Sequence, residues 1–325
     1  MKIIFFGSSE FSIPFLKAVH ESRHNIVLIV TGIEKQKGRG KKILPNPVKE
    51  SAELLGLPVL EVDDFNDEIV EIIEKKSFDC SVLVSFGKIL PEKLINIPDR
   101  KTINLHPSYL PKYRGPSPII SALLEGDAKT GISLIKMTEE IDAGDAYLIS
   151  EFAIADDDNR DSLEEKIAKI GAPLLVSIMD LIEENKIAAF PQGNNNISYT
   201  KIFSKNDLKV DWNRSAVEIR NKIRAFSSKP GCFTNWKEKK IKILKTSICN
   251  DEKLKKLLKD EYRNGTVICA DKNGLFIKCG AKEKYNKFLS GEIIKIETLK
   301  PQNKNNMSFL DFINGYRIKP GDFFE

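Results

Sequence analysis

The stretch Ile3-Ile4-Phe5-Phe6-Gly7-Ser8-Ser9, close to the start of the chain, decides the fold. Its four apolar residues have the length of a buried strand, and the turn after them opens a helix from about Phe11 to Glu21. A second apolar run, Ile26 to Thr31, follows that helix. A strand, a helix and a second strand in this order predict a βαβ unit of a parallel sheet.

The same alternation of apolar runs and helical patterns continues to about residue 190, which predicts an α/β domain built on a parallel sheet. The further strands are predicted at Val59 to Val62, Cys80 to Val84, Ile103 to Leu105 and Gly131 to Met137. The further helices are predicted at Val48 to Leu55, Glu68 to Lys75, Ile119 to Leu124 and Ser162 to Asn185.

A second, smaller domain is predicted after this one. Residues 191–206 are rich in Asn, Ser and Gly and have no apolar period, which predicts a linker between domains at 1–190 and 207–325. Beyond it we expect one helix from Ser215 to Ala225, with Asp211 or Asn213 available as its N-cap. Short strands follow at Ile241 to Leu244, Gly265 to Ala270, Leu275 to Lys278 and Glu292 to Ile296. Their spacing indicates a small barrel or sandwich.

The composition is that of a globular protein and excludes several other classes. The 325 residues are 41% hydrophobic and 30% charged, and no apolar stretch approaches the roughly 18 to 20 residues that cross a bilayer. We therefore expect a cytoplasmic protein without membrane-spanning helices. The five cysteines include no CxxC pair and the three histidines form no HxH or HExxH motif, so neither a disulfide framework nor a metal site is expected.

Positive charge is concentrated in two places. Residues 201–325 hold 28 Lys and Arg against 15 Asp and Glu, a net charge of +13, whereas residues 1–200 carry −8. Such a basic region favours a polyanionic partner such as nucleic acid, although a lysine-rich surface without a partner gives the same count. Residues 1–200, although acidic overall, contain one basic loop with two glycines. This loop either is simply solvated or binds a phosphate backbone. Its five cations are Lys35, Lys37, Arg39, Lys41 and Lys42.

The segment from Asn104 to Pro118 has the densest group of unusual residues, NLHPSYLPKYRGPSP. Because alternate residues of a strand point to the same face, the Asn104 amide and the His106 imidazole are expected to converge on one point. The prolines after His106 fix backbone torsions and remove N–H donors, so the chain leaves the strand as a stiff loop that can shape a pocket wall. The alternative to a functional role for His106 is a structural one, in which the imidazole is buried and its hydrogen bonds are satisfied within the core.

A second candidate is the acidic loop Glu139-Glu140-Ile141-Asp142-Ala143-Gly144-Asp145, which follows the predicted strand ending at Met137. A carboxylate from this loop beside His106 would orient the imidazole ring. The alternative is a solvated acidic turn, and the residues by themselves do not place Asp142 next to His106.

Taken together, these residues resemble the methionyl-tRNA formyltransferase family over nearly the whole chain. The similar segments in the first half include Phe6-Gly7-Ser8, Phe11-Ser12-Ile13-Pro14, Gly38-Arg39-Gly40-Lys41-Lys42 and Ser85-Phe86-Gly87-Lys88-Ile89-Leu90-Pro91. Those in the second half include Asp211-Trp212, Arg224-Ala225-Phe226, Pro230-Gly231 and Lys300-Pro301. The sequence departs from the family pattern at Pro107, at Tyr109, where leucine is usual, and at Pro116-Ser117.

The resemblance implies a Rossmann-like formyltransferase domain over residues 1–190 and a basic, OB-like β-barrel that binds tRNA over residues 207–325. The implied reaction transfers a formyl group from 10-formyltetrahydrofolate to the α-amino group of methionyl initiator tRNA, without a metal, a membrane or an obligate protein partner. Asn104, His106 and Asp142 match the catalytic trio of folate-dependent formyltransferases. The residues implied for the folate site are Phe86, Gly87, Ile89, Leu90, Ser108, Tyr109, Leu110 and Pro111, and those for tRNA are the five cations of the basic loop.

Three alternative functions fit parts of the sequence. An amino-sugar nucleotide N-formyltransferase shares the trio but has no use for a basic loop or a basic second domain. A noncatalytic RNA-binding protein has no need of an intact trio. An α/β dehydrogenase binds its dinucleotide on a GxGxxG turn, and the turn at Gly7 lacks the second and third glycines.

Overall fold

The computed structural model describes residues 1–33, 35–37, 42–44, 46–98, 101–259, 261–281 and 291–325, with the backbone alone at 35–37 and 42–44. The chain forms two compact units. The first consists of Met1–Pro118, Lys129–Ile154 and Leu163–Lys201, and the second of Ile119–Ala128, Ala155–Ser162 and Ile202–Glu325. The linker and domain limits inferred from composition stay predictions. Within the described ranges, no helix is both long and apolar enough to span a bilayer.

The first unit is built on one large sheet. Its strands are β1 (Lys2–Gly7), β2 (Asn25–Gly32), β3 (Lys35–Lys37), β4 (Lys42–Leu44), β5 (Val59–Val62), β6 (Cys80–Val84), β7 (Thr102–His106), β8 (Lys129–Lys136) and β9 (Ala146–Ala153). β3 and β4 pair with each other, and the other seven form one sheet in the order β5-β2-β1-β6-β7-β8-β9. The pairing is parallel from β5 to β7, as the βαβ pattern predicts, and antiparallel from β7 to β9.

Helices connect most of these strands, and several begin at the polar caps that their sequence offers. In the part of the chain that the structure describes, the α-helices are α1 (Ile13–His20), α2 (Pro47–Leu54), α3 (Asp67–Glu74), α4 (Glu92–Asn96), α5 (Pro118–Glu125), α6 (Arg160–Glu183), α7 (Ala216–Ala225), α8 (Glu252–Lys255) and α9 (Phe309–Tyr316). The Asn46 side chain accepts hydrogen bonds from the first turn of α2, and the Asn66 side chain does the same for α3.

The centre of the large sheet is buried on both faces. β1 is buried from Ile3 to Gly7, and β7 is buried at each of its five residues. Such continuous burial is typical of parallel strands that are covered by helices on both sides. Polar side chains on β7 are therefore held in surroundings where an unpaired hydrogen-bonding group is costly.

β9 is a strand that the sequence pattern does not predict. It lies at the edge of the sheet beside β8, and its burial falls from full at Ala146 and Tyr147 to exposed at Glu151. An edge strand of this kind lacks the continuous apolar run by which the inner strands are recognised. Because β8 runs antiparallel to β7, the loop from β8 to β9 begins near the amino end of β7, where the Met137 N–H donates to the Thr102 carbonyl.

The second unit is an antiparallel β domain, as predicted, and is consistent with an OB-like architecture. Its strands are β10 (Cys232–Trp236), β11 (Lys239–Cys249), β12 (Val267–Asp271), β13 (Gly274–Cys279), β14 (Glu292–Pro301) and β15 (Met307–Ser308). They form a sheet in the order β10-β11-β14-β13-β12, with β15 paired to β14. Every pairing is antiparallel.

The N-cap suggested for α7 is wrong. Ser215, rather than Asp211 or Asn213, caps the helix: its hydroxyl accepts from the Glu218 N–H, and the Glu218 carboxylate accepts from the Ser215 N–H. This reciprocal pair is a capping box, which satisfies two backbone donors that the helix itself leaves unpaired. The spacing Ser-x-x-Glu was visible in the sequence and was the better signal.

Ser215→Ala removes the hydroxyl that closes this box. The free energy of unfolding of the second unit is expected to fall by about 1 kcal/mol, a typical cost of losing an N-cap. Urea denaturation followed by tryptophan fluorescence reports on this unit, because both tryptophans, Trp212 and Trp236, belong to it. Asn213→Ala is expected to have the smaller effect, and the reverse order would contradict the assignment of the cap.

Candidate active site

β7 provides a rigid base for two of the three residues that the sequence singles out. Asn104 and His106 lie on the same face of the strand and are 7% and 4% exposed. The strand is paired to β6 on one side and to β8 on the other. Pro107 follows His106, so the chain turns away from the sheet directly after the imidazole.

Asp142, from the loop between β8 and β9, reaches both of these side chains. The Asn104 Nδ2 donates to Asp142 Oδ1 at 2.9 Å, and the His106 Nδ1 lies 3.4 Å from Asp142 Oδ2. The Gly115 N–H also donates to Oδ2, at 2.8 Å. The structure thus brings together the amide, the imidazole and the carboxylate that sequence spacing could not connect.

The His106 ring has oxygen atoms on both sides. Its Nε2 lies 2.9 Å from the carbonyl oxygen of Tyr113, which can only accept, while Nδ1 faces the carboxylate of Asp142. A neutral imidazole carries a proton on one nitrogen only, so it can donate to one of these two oxygens at a time. The position of the ring is therefore fixed by its two neighbours.

The loop that follows β7 is held by serine hydroxyls. Ser108 Oγ donates to the Lys112 carbonyl at 2.7 Å, and Ser133 Oγ on β8 donates to the Ser108 carbonyl at 2.7 Å. The Leu110 N–H donates back to Ser133 Oγ at 3.2 Å. These bonds close the loop against β8, so the carbonyl of Tyr113 and the N–H of Gly115 are presented to the trio from a defined position.

Two further residues at the site were not singled out from the sequence. Gln192 Nε2 donates to the backbone carbonyls of Asp142 at 2.9 Å and Gly144 at 2.8 Å. Gln192 Oε1 accepts from Arg114 Nη2 at 2.9 Å. Arg114 stood in the unusual segment after β7 and could have been noted there, whereas Gln192 lies in the predicted linker and had no local signal.

The residues implied for folate differ in their exposure. Phe86, Leu90, Ser108, Leu110 and Pro111 are buried, whereas Ile89 is 88% exposed and Tyr109 is 47% exposed. Gly87 is exposed and has φ +75°, a backbone conformation that favours glycine. Ile89 and Tyr109 thus offer apolar surface to a ligand, and the buried residues support the backbone beneath them. Their role in folate binding stays a prediction.

A groove of about 530 Å³ borders the loop that carries Asp142. It is lined by Asn96, Lys101, Lys136 and residues 137–140 and 143–145. Met137, one of its lining residues, packs on the hydrophobic cluster that contains Phe86 and Leu90. Its volume is within the range of small-molecule sites, and half of its lining residues are charged: Lys101, Lys136, Glu139, Glu140 and Asp145.

The basic loop is described only in part. Lys35 and Lys37 lie on β3 and Lys42 lies on β4, with Lys37 opposite Lys42 in an antiparallel pair. The predicted contacts of Arg39 and Lys41 lie outside the described residues. The role of this loop in tRNA binding stays a prediction.

One cluster away from the trio has ligand spacing suited to a metal ion. The side chains of His24, Asp180 and Glu183 offer atoms within 4.8 Å of one another. Both carboxylates already have cationic partners, since Arg23 pairs with Asp180 at 2.5 Å and the Met1 ammonium with Glu183 at 2.7 Å. Burial lowers the pKa of His24. The cluster is a set of ion pairs at the end of α6.

Comparison with known proteins establishes the family. A formyl transferase family model matches residues 1–179, and a formyl transferase C-terminal domain model matches residues 202–317. A methionyl-tRNA formyltransferase of Sulfurihydrogenibium sp. (strain YO3AOP1) is 41% identical over 330 residues, covering 100% of both chains. The chain belongs to the methionyl-tRNA formyltransferase family. A relative of the same name from Dictyoglomus turgidum (strain DSM 6724 / Z-1310) is 38% identical and covers 100% of this chain and 99% of its own. The resemblance read from the sequence is confirmed, and the chain is a formyl-transferring enzyme.

Solved structures agree with the fold. The sugar 3N-formyl transferase WlaRD, solved with dTDP and 5-N-formyl-THF, has a TM-score of 0.62 at 20% identity and covers 94% of this chain and 99% of its own. HypX from Aquifex aeolicus, solved in complex with tetrahydrofolic acid, has a TM-score of 0.61 at 16% identity. That match covers 100% of this chain and 50% of HypX. At such identities the likeness supports the formyltransferase fold alone.

Gly144→Ala is expected to displace the loop that carries Asp142. A Cβ at this position would lie 1.9 Å from the Lys136 carbonyl oxygen, so the backbone must move. A displacement of about 1 Å at a catalytic group costs on the order of 10²-fold in rate. The measurement is kcat for formyl transfer, with thermal unfolding recorded for each variant. Gly193→Ala is the matched control, because its Cβ meets nothing within 4 Å. Equal activity of the two variants would contradict the importance of the loop position.

Proposed function

We propose that this enzyme transfers the formyl group of 10-formyltetrahydrofolate to the α-amino group of methionyl initiator tRNA, by direct attack through a tetrahedral intermediate. The observation that carries the proposal is the convergence of Asn104, His106 and Asp142 at the end of β7, in a chain of this family. Because charged tRNA is used where ribosomes are found, the proposal implies a cytoplasmic enzyme.

The reaction needs a site that stabilises negative charge on the formyl oxygen. Asn104 Nδ2 has two hydrogens, and Asp142 takes one of them, so the second can be donated to that oxygen. His106 Nε2 faces the Tyr113 carbonyl in this structure, and we propose that the formyl oxygen replaces that carbonyl as its acceptor, while Asp142 orients the ring from the Nδ1 side. Donors that are fixed in place before the reaction stabilise the transition state without reorganisation.

The reaction must also remove a proton from the attacking amine. The Asp142 carboxylate contacts both donors, and it is held by the Gly115 N–H and the Asn104 amide. It can accept the amine proton directly or through one water molecule and pass it to N10 of tetrahydrofolate, whose bond to the formyl carbon breaks as the intermediate collapses. No nucleophilic side chain is required, since alignment of the two substrates supplies much of the acceleration.

We place the folate in the groove beside this loop. The volume of about 530 Å³ suits a small ring system, and the groove adjoins the cluster that contains Phe86 and Leu90. Its wall carries two cations, Lys101 and Lys136, and three carboxylates, Glu139, Glu140 and Asp145. The exposed side chains of Ile89 and Tyr109 provide apolar surface for the remainder of the cofactor.

We assign tRNA backbone contact to the basic loop and to a row of lysines on the second unit. Lys242 on β11 stands opposite Phe233 on β10 and Lys300 on β14, and the Lys240 Nζ lies 3.4 Å from the centre of the Phe233 ring. Burial, Lys300 and Lys240 together lower the pKa of Lys242. Like charges directly opposite each other destabilise a sheet, and phosphate groups would relieve their repulsion.

The acceptor is tested by offering 10-formyltetrahydrofolate with methionyl initiator tRNA, methionyl elongator tRNA and an amino-sugar nucleotide in parallel. Formylation is expected for the initiator alone: the basic loop and the basic second unit suit a polyanion rather than the sugar nucleotide, and the preference over the elongator is part of the proposed acceptor. The measurement is formylated product per unit time. Formylation of the sugar alone would overturn the acceptor, and no product from any of the three would overturn the proposed function.

The same assay applied to site variants tests the roles of the trio. His106→Ala and Asp142→Ala are each expected to lose at least about 10²-fold in rate while remaining folded. His20→Ala removes an exposed imidazole on α1 and serves as the control. Trio variants that keep more than about a tenth of the wild-type rate would remove the catalytic assignment.

The salt dependence of tRNA affinity tests the two basic surfaces. Replacing Lys240, Lys242 and Lys300 by Gln, or Arg39, Lys41 and Lys42 by Gln, should weaken binding and flatten the plot of log affinity against log salt. The slope should fall by about 1 for each phosphate that the variant no longer neutralises, while folate affinity stays unchanged.

A control with the same change in charge comes from Lys75, Lys93 and Lys129, exposed residues that are paired with carboxylates. Their replacement by Gln should leave the slope as it is. If all three triple variants shift the slope equally, net charge rather than local contact is responsible, and the assignment is wrong.

A further inference from the structure

The backbone of Asp142 receives support from outside its own loop. Its φ of +50° lies in the left-handed region, which is uncommon for residues other than glycine, although Asp and Asn adopt it more often than most. The carboxylate of the same residue holds Asn104 and faces His106. A small rotation of this backbone would therefore move the carboxylate away from both partners.

The Gln192 amide supplies that support in a single orientation. A guanidinium has donors and no acceptor, so the amide atom that faces Arg114 Nη2 at 2.9 Å must be the oxygen. The amide nitrogen then faces the carbonyl oxygens of Asp142 and Gly144, at 2.9 and 2.8 Å. Each of its two hydrogens has one acceptor, so the hydrogen-bond network by itself fixes which way the amide points.

Arg114 is in turn held in place. The residue is 8% exposed, its Nη1 lies 3.4 Å from the Tyr199 hydroxyl, and its backbone N–H donates to the Ser198 carbonyl at 2.8 Å. Its backbone carbonyl accepts from the Thr200 N–H at 2.7 Å. The guanidinium is thus held in one position, from which it donates to the Gln192 amide oxygen.

The geometry points to Gln192 as a positioning residue: its amide, oriented by Arg114, holds the backbone of Asp142 in the conformation that presents the carboxylate to Asn104 and His106. Its hydrogen bonds to the loop go to backbone carbonyls, so it acts through Asp142. The expected effect on kcat rests on the proposed function. The expected effect on the position of the loop rests only on the hydrogen bonds of Gln192.

Gln192→Glu separates the contact of Gln192 with Arg114 from its contacts with the loop carbonyls. The carboxylate keeps an acceptor for Arg114 and gains an ion pair, whereas both N–H donors to the loop are removed. We expect kcat to fall about 10- to 100-fold, with KM for tRNA and for folate unchanged within about threefold. Gln192→Met, which has similar length and no charge, should show the same split.

Amide hydrogen exchange measures the position of the loop without any turnover. Both variants should exchange faster than the wild type at the Gly115 amide, which donates to Asp142 Oδ2, and over residues 138–145. Asn195→Asp is the matched control: it makes the same change of amide to carboxylate on an exposed side chain three residues further along. It should alter neither the exchange nor kcat.

The outcomes separate this inference from the proposed function. An inactive wild type would overturn the function, and the exchange data would still decide whether Gln192 holds the loop. An active wild type with unchanged kcat in both Gln192 variants would overturn the positioning role. A fall in kcat with unchanged exchange at Gly115 and the loop would also overturn it, because Gln192 would then act by another route.

Discussion

The carboxylate of Asp142 is the interaction on which the site depends. It accepts hydrogen bonds from Asn104 and Gly115 and lies beside His106. Asn104 and His106 belong to β7, Gly115 to the loop after it, and Asp142 to the loop between β8 and β9. One charged acceptor thus joins two loops to a strand. Hydrogen bonds to an ionised group are roughly twice as strong as those between neutral groups, which makes it suited to this task.

The sheet and part of the site could be predicted because their signals are local. Apolar runs of strand length and helices at regular spacing are encoded within ten to twenty residues, so the parallel strands from β5 to β7 could be recognised. The shared orientation of Asn104 and His106 follows from the two-residue period of a strand. Asp142 was added by resemblance to a known family, since its contact with β7 spans 38 residues of sequence.

The remaining features depend on contacts between residues far apart in sequence, or on a choice among several possible helix caps, and no local sequence pattern decides either. Gln192 lies 50 residues after Asp142, in a segment whose composition indicated only a linker. β9 is an edge strand, and its exposed positions break the apolar run by which a strand is recognised. At the start of α7 three residues could serve as the cap, and the reciprocal bond to Glu218 selects Ser215.

The long sequence separations within the site have a consequence for biosynthesis. Asn104 and His106 leave the ribosome well before Gln192 does, and the 24-residue helix α6 is made in between. Closing such separations is slow compared with forming a helix, so the network assembles after the strands that carry it. A nascent chain can therefore hold β7 with its two polar side chains before Gln192 reaches the loop that carries Asp142. The hydrogen bonds from Gln192 to that loop form only once the segment beyond α6 has packed against it.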